Sequence, residues 1–284
     1  MALIAIAADK GSPGVTTTAV ALAAVWPRRA LLAEADPAGG DLVYRCAAAH
    51  GGPLDPNTGM LSLAATARRG LVAEQVWDHA QPVSGGLEVL VGLGNSEQST
   101  GLAGVWPVLG SAFAGLAGSQ HGAADVIADC GRIGVDPVVT GLFAQASLVL
   151  LVSRTEPEQL ARVRDRAAAL SARLHGAQRG TAHITPLIGV VLVVDARDSA
   201  KIAGQMNDML VASQSVARVV GVVAHDPAGA GQLAGRRRGS AAKSLLVRSV
   251  RKVAADLHQQ FGAAWAATGA GTGTRMPDGA GGPR

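Results

Sequence analysis

Short apolar runs recur along the chain, near residues 2–8, 30–34, 87–92, 124–128, 147–152, 187–194 and 218–223. Apart from single polar residues such as the acids Glu34, Glu88 and Asp125, the runs are continuously apolar and do not alternate with polar positions. Alternation marks a strand with one wet face, whereas continuous runs of this length mark strands buried on both faces. Helix-like stretches separate the runs, and strands alternating with helices require crossover connections. The pattern predicts an α/β domain with a doubly wound, mostly parallel sheet and helices on both faces. Ligands of such sheets bind beyond the carboxyl ends of the strands, so chemistry is sought just after each run.

One helix is well defined by its cap and its periodicity. Thr155 and Glu158 have the spacing of a capping box, and Pro157 falls in the tolerated first turn. Leu160, Val163, Ala167, Leu170 and Leu174 then share one face, with Arg162, Arg164, Asp165 and Arg173 elsewhere. This predicts a helix lying on the sheet. The last helical stretch runs over about 240–266, with a stripe of Leu246, Val250, Val253, Leu257 and Phe261. Arg248, Arg251 and Lys252 occupy another face, and Arg236-Arg237-Arg238 precede it. Two readings stay open for these cations: the solvated face of a docked helix, or a surface for DNA backbone or anionic lipid. Residues 268–284 are rich in Gly, Thr and Pro without periodicity, which predicts a disordered tail after a domain spanning 1–267.

Composition adds little to this division. Hydrophobic residues at 48% suffice for a large core, and 3% aromatic content means that Ala, Val and Leu build it. The apolar start, Met1 to Ala8, has no basic segment before it and runs into a Gly-rich loop. It reads as a first strand, not a signal peptide. No apolar run reaches the roughly 18 residues of a membrane-spanning helix, so a cytoplasmic protein is expected. Cys46 and Cys130 lie far apart without metal-type spacing and are expected as reduced thiols. The net charge of +4 permits nucleic-acid or lipid contact without requiring it.

Candidate chemistry begins after the first run. There the chain reads Asp9-Lys10-Gly11-Ser12-Pro13-Gly14-Val15-Thr16-Thr17-Thr18, followed by a helical Ala-rich stretch. A Gly-rich turn between strand and helix aims backbone N–H groups inward at the positive end of a helix dipole, which suits phosphate. A hydroxyl at Thr16 is placed to ligate Mg²⁺.

These residues resemble the ParA/MinD family of P-loop ATPases. That family's deviant Walker A motif reads K-G-G-x-G-K-T-T, where this chain has K-G-S-P-G-V-T-T. The resemblance implies that Lys10 is the signature lysine, which reaches across a dimer to the partner's nucleotide. It implies that Gly11, Ser12, Gly14, Val15, Thr16 and Thr17 line the phosphates of ATP, with Thr16 on Mg²⁺. Val15 replaces the lysine that contacts the β- and γ-phosphates, Ser12 replaces the second glycine, and Pro13 removes one N–H donor. Glu34-Ala35-Asp36-Pro37-Ala38-Gly39 resembles the family's switch I stretch, which implies Asp36 as the acid near the attacking water and Mg²⁺. Asp125-Val126-Ile127-Ala128-Asp129-Cys130-Gly131 resembles its Walker B and switch II pattern, with Asp129 near Mg²⁺.

The resemblance also places the base between the loops after the last two runs, at Asp195 and at His225-Asp226-Pro227. Asp195 accepts hydrogen bonds and donates none, which leaves adenine against guanine open. His225 reads as a solvated loop residue. Loss of the second lysine is a feature of the CpaE/TadZ-like branch, which places pilus-assembly machinery. The expected function is thus a homodimeric, ATP-gated positioning scaffold with weak or absent hydrolysis, recruited to a pilus or secretion partner. The alternatives are a partition ATPase that binds DNA through Arg248, Arg251 and Lys252, recruited to the nucleoid, and an interaction module without nucleotide.

Overall fold

The computed structural model describes residues 2–119, 122–135, 137–176, 185–195 and 199–270. Among these, eight strands form one sheet: β1 (Leu3–Ala8), β2 (Ala30–Glu34), β3 (Gln81–Pro82), β4 (Glu88–Leu90), β5 (Asp125–Arg132), β6 (Leu148–Ser153), β7 (Leu187–Val194) and β8 (Arg218–Ala224). Their order is β3-β4-β2-β5-β1-β6-β7-β8. All neighbouring pairs are parallel except β3 with β4. The seven runs read from the sequence are seven of these strands, with β5 longer than its run. The short antiparallel edge strand β3 carries no apolar run, and its Pro82 is tolerated only at an edge.

Helices cover both faces. On one side lie α1 (Val15–Val25) and α10 (Leu245–Ala270), joined to the sheet by a cluster that includes Ile4, Ile6, Leu22, Leu32, Ile127, Val250 and Leu257. The other side carries α3 (Met60–Ala67), α5 (Trp106–Gly115), α7 (Pro157–Gly176) and α8 (Ser199–Ala212), through Leu63, Phe113, Val163, Leu170 and Met206. Between them in the chain lie the short helices α2 (Leu42–Arg45), α4 (Ser96–Gly101), α6 (Thr140–Phe143) and α9 (Pro227–Leu233).

Helix boundaries differ slightly from the sequence reading. α7 starts at Pro157, so the residue before it is Glu156, not Thr155, and the Glu156 carbonyl accepts from Gln159 and Leu160 at 2.9 and 3.0 Å. Proline holds the first helical position without needing a donor, which moves the start one residue on. α10 begins at Leu245 after a separate 3-10 turn, with the Ser244 hydroxyl accepting from Val247 N–H at 3.2 Å as its cap. It continues through Ala270, three residues into the stretch read as tail. An Ala-rich run sustains helix, and Trp265 anchors it against Trp26 with ring centroids 6.2 Å apart. The rest of that tail lies outside the described residues.

The strand order places β1 at the centre, with β2 and β4 on one side and β6, β7 and β8 on the other. The crevice of an open parallel sheet lies where strand order reverses in this way, beyond the carboxyl end of β1.

Candidate functional site

The loop beyond β1 is shaped by two glycines in left-handed conformation, Gly11 at φ 74° and Gly14 at φ 96°. Gly14 is the residue before α1, and the helix's first backbone bond runs from Thr18 N–H to the Gly14 carbonyl at 2.8 Å. The N–H groups of Val15, Thr16 and Thr17 therefore open from the helix end. α7 clamps the loop from the other side. The Arg166 guanidinium pairs with the Asp9 carboxylate at 2.5 Å, both about one-tenth exposed at 11% and 10%. Gln159 packs on Gly11, so close that a Cβ there would lie 3.4 Å from its Oε1. Lys10, between these anchors, is exposed. Val15 is 7% exposed and belongs to the apolar cluster under α1, so this position adds packing and no charge.

Three acids meet at the carboxyl ends of β2 and β5. Glu34 is buried, and its carboxylate accepts from Asp41, Leu42 and Gly92 N–H at 2.7, 2.9 and 2.8 Å. It fits only because residues 40 and 92 are glycines, where a Cβ would lie 2.2 and 2.8 Å from its Oε2. Glu34 ties the loop after β2 to the loop after β4. Burial pushes its carboxyl up, and the three backbone donors offset part of that rise. Asp36 accepts from Ala38 N–H at 2.8 Å and abuts the Gly131 backbone. Desolvation raises its carboxyl too, and the Arg132 charge partly opposes the rise.

Asp129 is the least satisfied of the three. Its Oδ1 accepts from Gly131 N–H at 3.1 Å, while Oδ2 is buried with no hydrogen-bond partner of normal geometry. The Thr16 hydroxyl approaches this carboxyl and offsets some of the cost of burying it, but desolvation dominates and pushes it up to about 7. An orphaned buried oxygen beside a hydroxyl is a fitting place for a hard cation. Among the described residues no group of three or more His, Cys, Asp and Glu side chains can hold a metal. Thr16 and Asp129 are the residues that would hold Mg²⁺, which would supply positive charge beside phosphate at the open N–H groups of the loop.

Beyond β6, β7 and β8 lies a second polar group. Arg154 Nη1 is 3.2 Å from His225 Nε2, and His225 Nδ1 is 3.2 Å from Asp195 Oδ1. A guanidinium only donates, so Nε2 accepts and the Nδ1 proton goes to Asp195. His225 is therefore a half-buried link between two charges, not the solvated residue its loop position suggested. Asp195 keeps most of its carboxylate in solvent, at 85% exposure. Asp226 does something else: its Oδ1 accepts from Gly229 N–H at 2.8 Å and its Oδ2 from Leu246 N–H at 3.3 Å. With both oxygens committed it caps α9 and α10, and those bonds hold its carboxyl below the usual range. Pro227 is the first residue of α9.

The phosphate loop, Asp36 and Asp129 thus converge around the end of β1, and Asp195 sits on the other side of β6. Arg132, Gln159 and Arg166 were missed by sequence reasoning. Only Arg132 carried a signal, as a cation directly after the Asp129-Cys130-Gly131 motif. Both cysteines are free thiols. Among the described residues no helix is long and apolar enough to cross a membrane.

No family model and no curated protein matches the sequence. Solved structures do resemble the fold. A ParA family ATPase from Chlorobium tepidum TLS aligns over 89% of this chain and 98% of its own, at TM-score 0.62 and 13% identity. The septum site-determining protein MinD of Pyrococcus horikoshii OT3, complexed with Mg-ADP, aligns over 92% and 97%, at TM-score 0.63 and 14% identity. The McdA(D38A)–ATP complex of Cyanothece aligns over 92% and 96%, at TM-score 0.62 and 15% identity. Likeness at such identity is likeness of fold: the chain has the α/β P-loop architecture shared by MinD and ParA.

Proposed function

We propose that the chain binds ATP with Mg²⁺ in the loop from Lys10 to Thr17 and acts as a nucleotide-gated dimeric scaffold. The observation that carries the nucleotide reading is Asp129, whose buried Oδ2 has no hydrogen-bond partner beside Thr16. Neighbouring folds whose structures hold Mg-ADP or ATP favour adenine nucleotide. Turnover is slow or absent, because Val15 supplies no charge to the phosphates as phosphoryl transfer proceeds. Asp36 is the acid for the attacking water, and Lys10 reaches the partner's nucleotide. The biological role that best suits such a protein is positioning of a pilus or secretion apparatus.

Calorimetry and sedimentation test this together. Mg²⁺-ATP is expected to bind with micromolar or weaker affinity and to shift the chain toward dimer, and Lys10→Ala to lose the shift. No binding of ATP, ADP or GTP at millimolar concentration would remove the reading and leave an interaction module without nucleotide. Identical sedimentation of wild type and Lys10→Ala, each with and without Mg²⁺-ATP, would remove Lys10 as a cross-dimer ligand.

A partition ATPase is the second reading, favoured by the exposed basic residues Arg236, Arg237, Arg238, Arg248 and Arg251. Lys252 contributes less, since it pairs with Asp256 at 2.6 Å. Under this reading duplex affinity falls steeply with salt.

A further inference from the structure

The sequence leaves the phosphate loop without its lysine, and the fold brings another cation to the same rim. Along β5 the side chains of Val126, Ala128 and Cys130 enter the cluster beneath α5 and α7, while Ile127 enters the cluster beneath α1. Strict alternation would send Arg132 after Cys130 into the first of these clusters. The strand does not alternate there. Register runs from Ile6 opposite Asp129 to Ala8 opposite Arg132, so β5 spends one more residue than β1 over the same step. This is a β-bulge, and Gly131 takes φ 57° within it. Past the bulge Ile133, not Arg132, lies in the cluster beneath α5. Arg132 is opposite Ala8, whose side chain faces α1, so it shares the side that carries Asp129 and Val15.

The bulge is built for this sequence. A Cβ at Gly131 would overlap the Asp36 carboxylate, and its φ also favours glycine. Arg132 itself is exposed at the strand end; among the described residues it makes no hydrogen bond or close ion pair, and its charge acts on the nearby Asp36 carboxyl. Among the described residues the other arginines around the crevice are committed: Arg166 to Asp9, Arg45 to Asp41, and Arg154 to Glu156 and His225. That leaves Lys10, assigned above to the partner's nucleotide, and Arg132.

We propose that Arg132 supplies, within the same chain, the cationic contact to the terminal phosphates of a bound nucleoside triphosphate that Val15 does not. The proposal rests on the nucleotide reading above. A guanidinium suits the task because it stays charged and offers two parallel donors to phosphate oxygens. Its place at a strand end beside Asp36 would favour a triphosphate over a diphosphate, since the contact needs the outermost group.

Calorimetry of the full chain with Mg²⁺-ATP and Mg²⁺-ADP decides it. Loss of a charge-assisted contact corresponds to a roughly tenfold to hundredfold loss of affinity. Arg132→Gln is expected to weaken ATP by that factor and ADP by no more than about threefold, as befits a contact confined to the terminal group. Arg132→Lys should retain more of the ATP affinity than Arg132→Gln. Adding Val15→Lys to Arg132→Gln should restore ATP binding, because either cation answers the same phosphate. Equal ATP affinity in wild type and a folded Arg132→Gln variant overturns the proposal while sparing the nucleotide reading. A wild type that binds no nucleotide overturns both.

Discussion

Asp125 and Asp129 lie on one strand and face the same side of the sheet, at opposite ends of the β5 apolar run. Both are buried, at 0% and 1% exposure, yet their surroundings differ completely. Asp125 accepts from Ala2 N–H at 2.5 Å, Trp26 Nε1 at 2.7 Å and Arg28 Nε at 2.8 Å. Arg28 Nη2, 2.7 Å from the same oxygen as Nε, adds charge without a well-aimed hydrogen bond. Asp129 has one backbone donor, a nearby hydroxyl and an orphaned oxygen. A buried charge is tolerated when it is paired and bonded, and it is costly otherwise. The amino end of β5 thus holds a carboxylate that secures the fold, and the carboxyl end holds one whose burial its protein neighbours leave largely uncompensated.

If that contrast is right, the largest effect of any single change follows from breaking the satisfied end. Asp125→Ala strands the Arg28 charge and two donors, and removing one partner of a buried pair costs about 3–5 kcal/mol. The exposed part of Arg28, 26% of its side chain, moves the expectation to the lower end. Asp125→Asn keeps an acceptor for Ala2 and Trp26 and should cost less, about 1–3 kcal/mol. Urea denaturation of the two variants measures this. Nucleotide affinity of whatever folds should be unchanged, and a specific loss there would erase the distinction between the two ends.

The opposite sign is expected at Asp129, with a smaller size. Its carboxyl is raised from an ordinary 3.8 to about 7 by burial. Between those pH values the unfolded chain releases the proton and the folded chain keeps it. The site's contribution to stability is therefore full at low pH and is lost as pH rises through 7. Asp129→Asn removes this loss. The full shift corresponds to about 4 kcal/mol at pH 8. The variant should recover part of it, on the order of 2 kcal/mol, because a buried amide nitrogen in place of Oδ2 carries its own desolvation cost. The gap should close toward pH 4. Glu34 and Asp36 are also raised by burial, and their repulsion of an ionised Asp129 is part of what the amide removes. With Mg²⁺-ATP present the ranking should invert, because the variant has no carboxylate for the cation. A variant less stable than wild type at pH 8 without ligand would mean that Asp129 is structural after all.

The two aspartates also show what the sequence could and could not disclose. Strand positions were legible because burial on both faces leaves largely apolar runs, and the glycine-shaped turn before α1 because glycine and threonine spacing is local. The partners of Asp125 come from the chain start and from the loop after α1, and no local pattern joins Trp26 and Arg28 to a strand so distant in sequence. The same holds for Arg166 on Asp9. The bulge at Gly131 is invisible for another reason: a glycine in a strand is compatible with either parity, and only the register with β1 reveals which side receives Arg132. His225 looked solvated because neither of its partners is near it in sequence. Asp226 looked like part of the base pocket, but its two oxygens serve helix ends brought together by the turn after β8.

The smallest effect sharpens the contrast most, since it concerns the hydroxyl that eases the burial of the unsatisfied acid. Thr16 favours the ionised form of Asp129, so Thr16→Val should push that carboxyl still higher. In ligand-free protein only the hydroxyl's approach to the carboxyl is at stake, worth no more than a single hydrogen bond, about 1 kcal/mol. It matters mainly where Asp129 would otherwise ionise. The variant should thus be destabilised by up to about 1 kcal/mol at pH 8 and by less at pH 5. Thr16→Ser, which keeps the hydroxyl, should follow wild type at both values. The same two variants behave differently toward Mg²⁺, where the hydroxyl would be a ligand and not merely a neighbour. There Thr16→Val should lose Mg²⁺-dependent nucleotide affinity, whereas metal-free nucleotide should bind both variants alike. Denaturation at the two pH values, followed by calorimetry with and without Mg²⁺, separates the roles. Should Thr16→Val leave both the pH response and the Mg²⁺ dependence unchanged, Thr16 and Asp129 do not act together, and the carboxyl end of β5 is not a cation site.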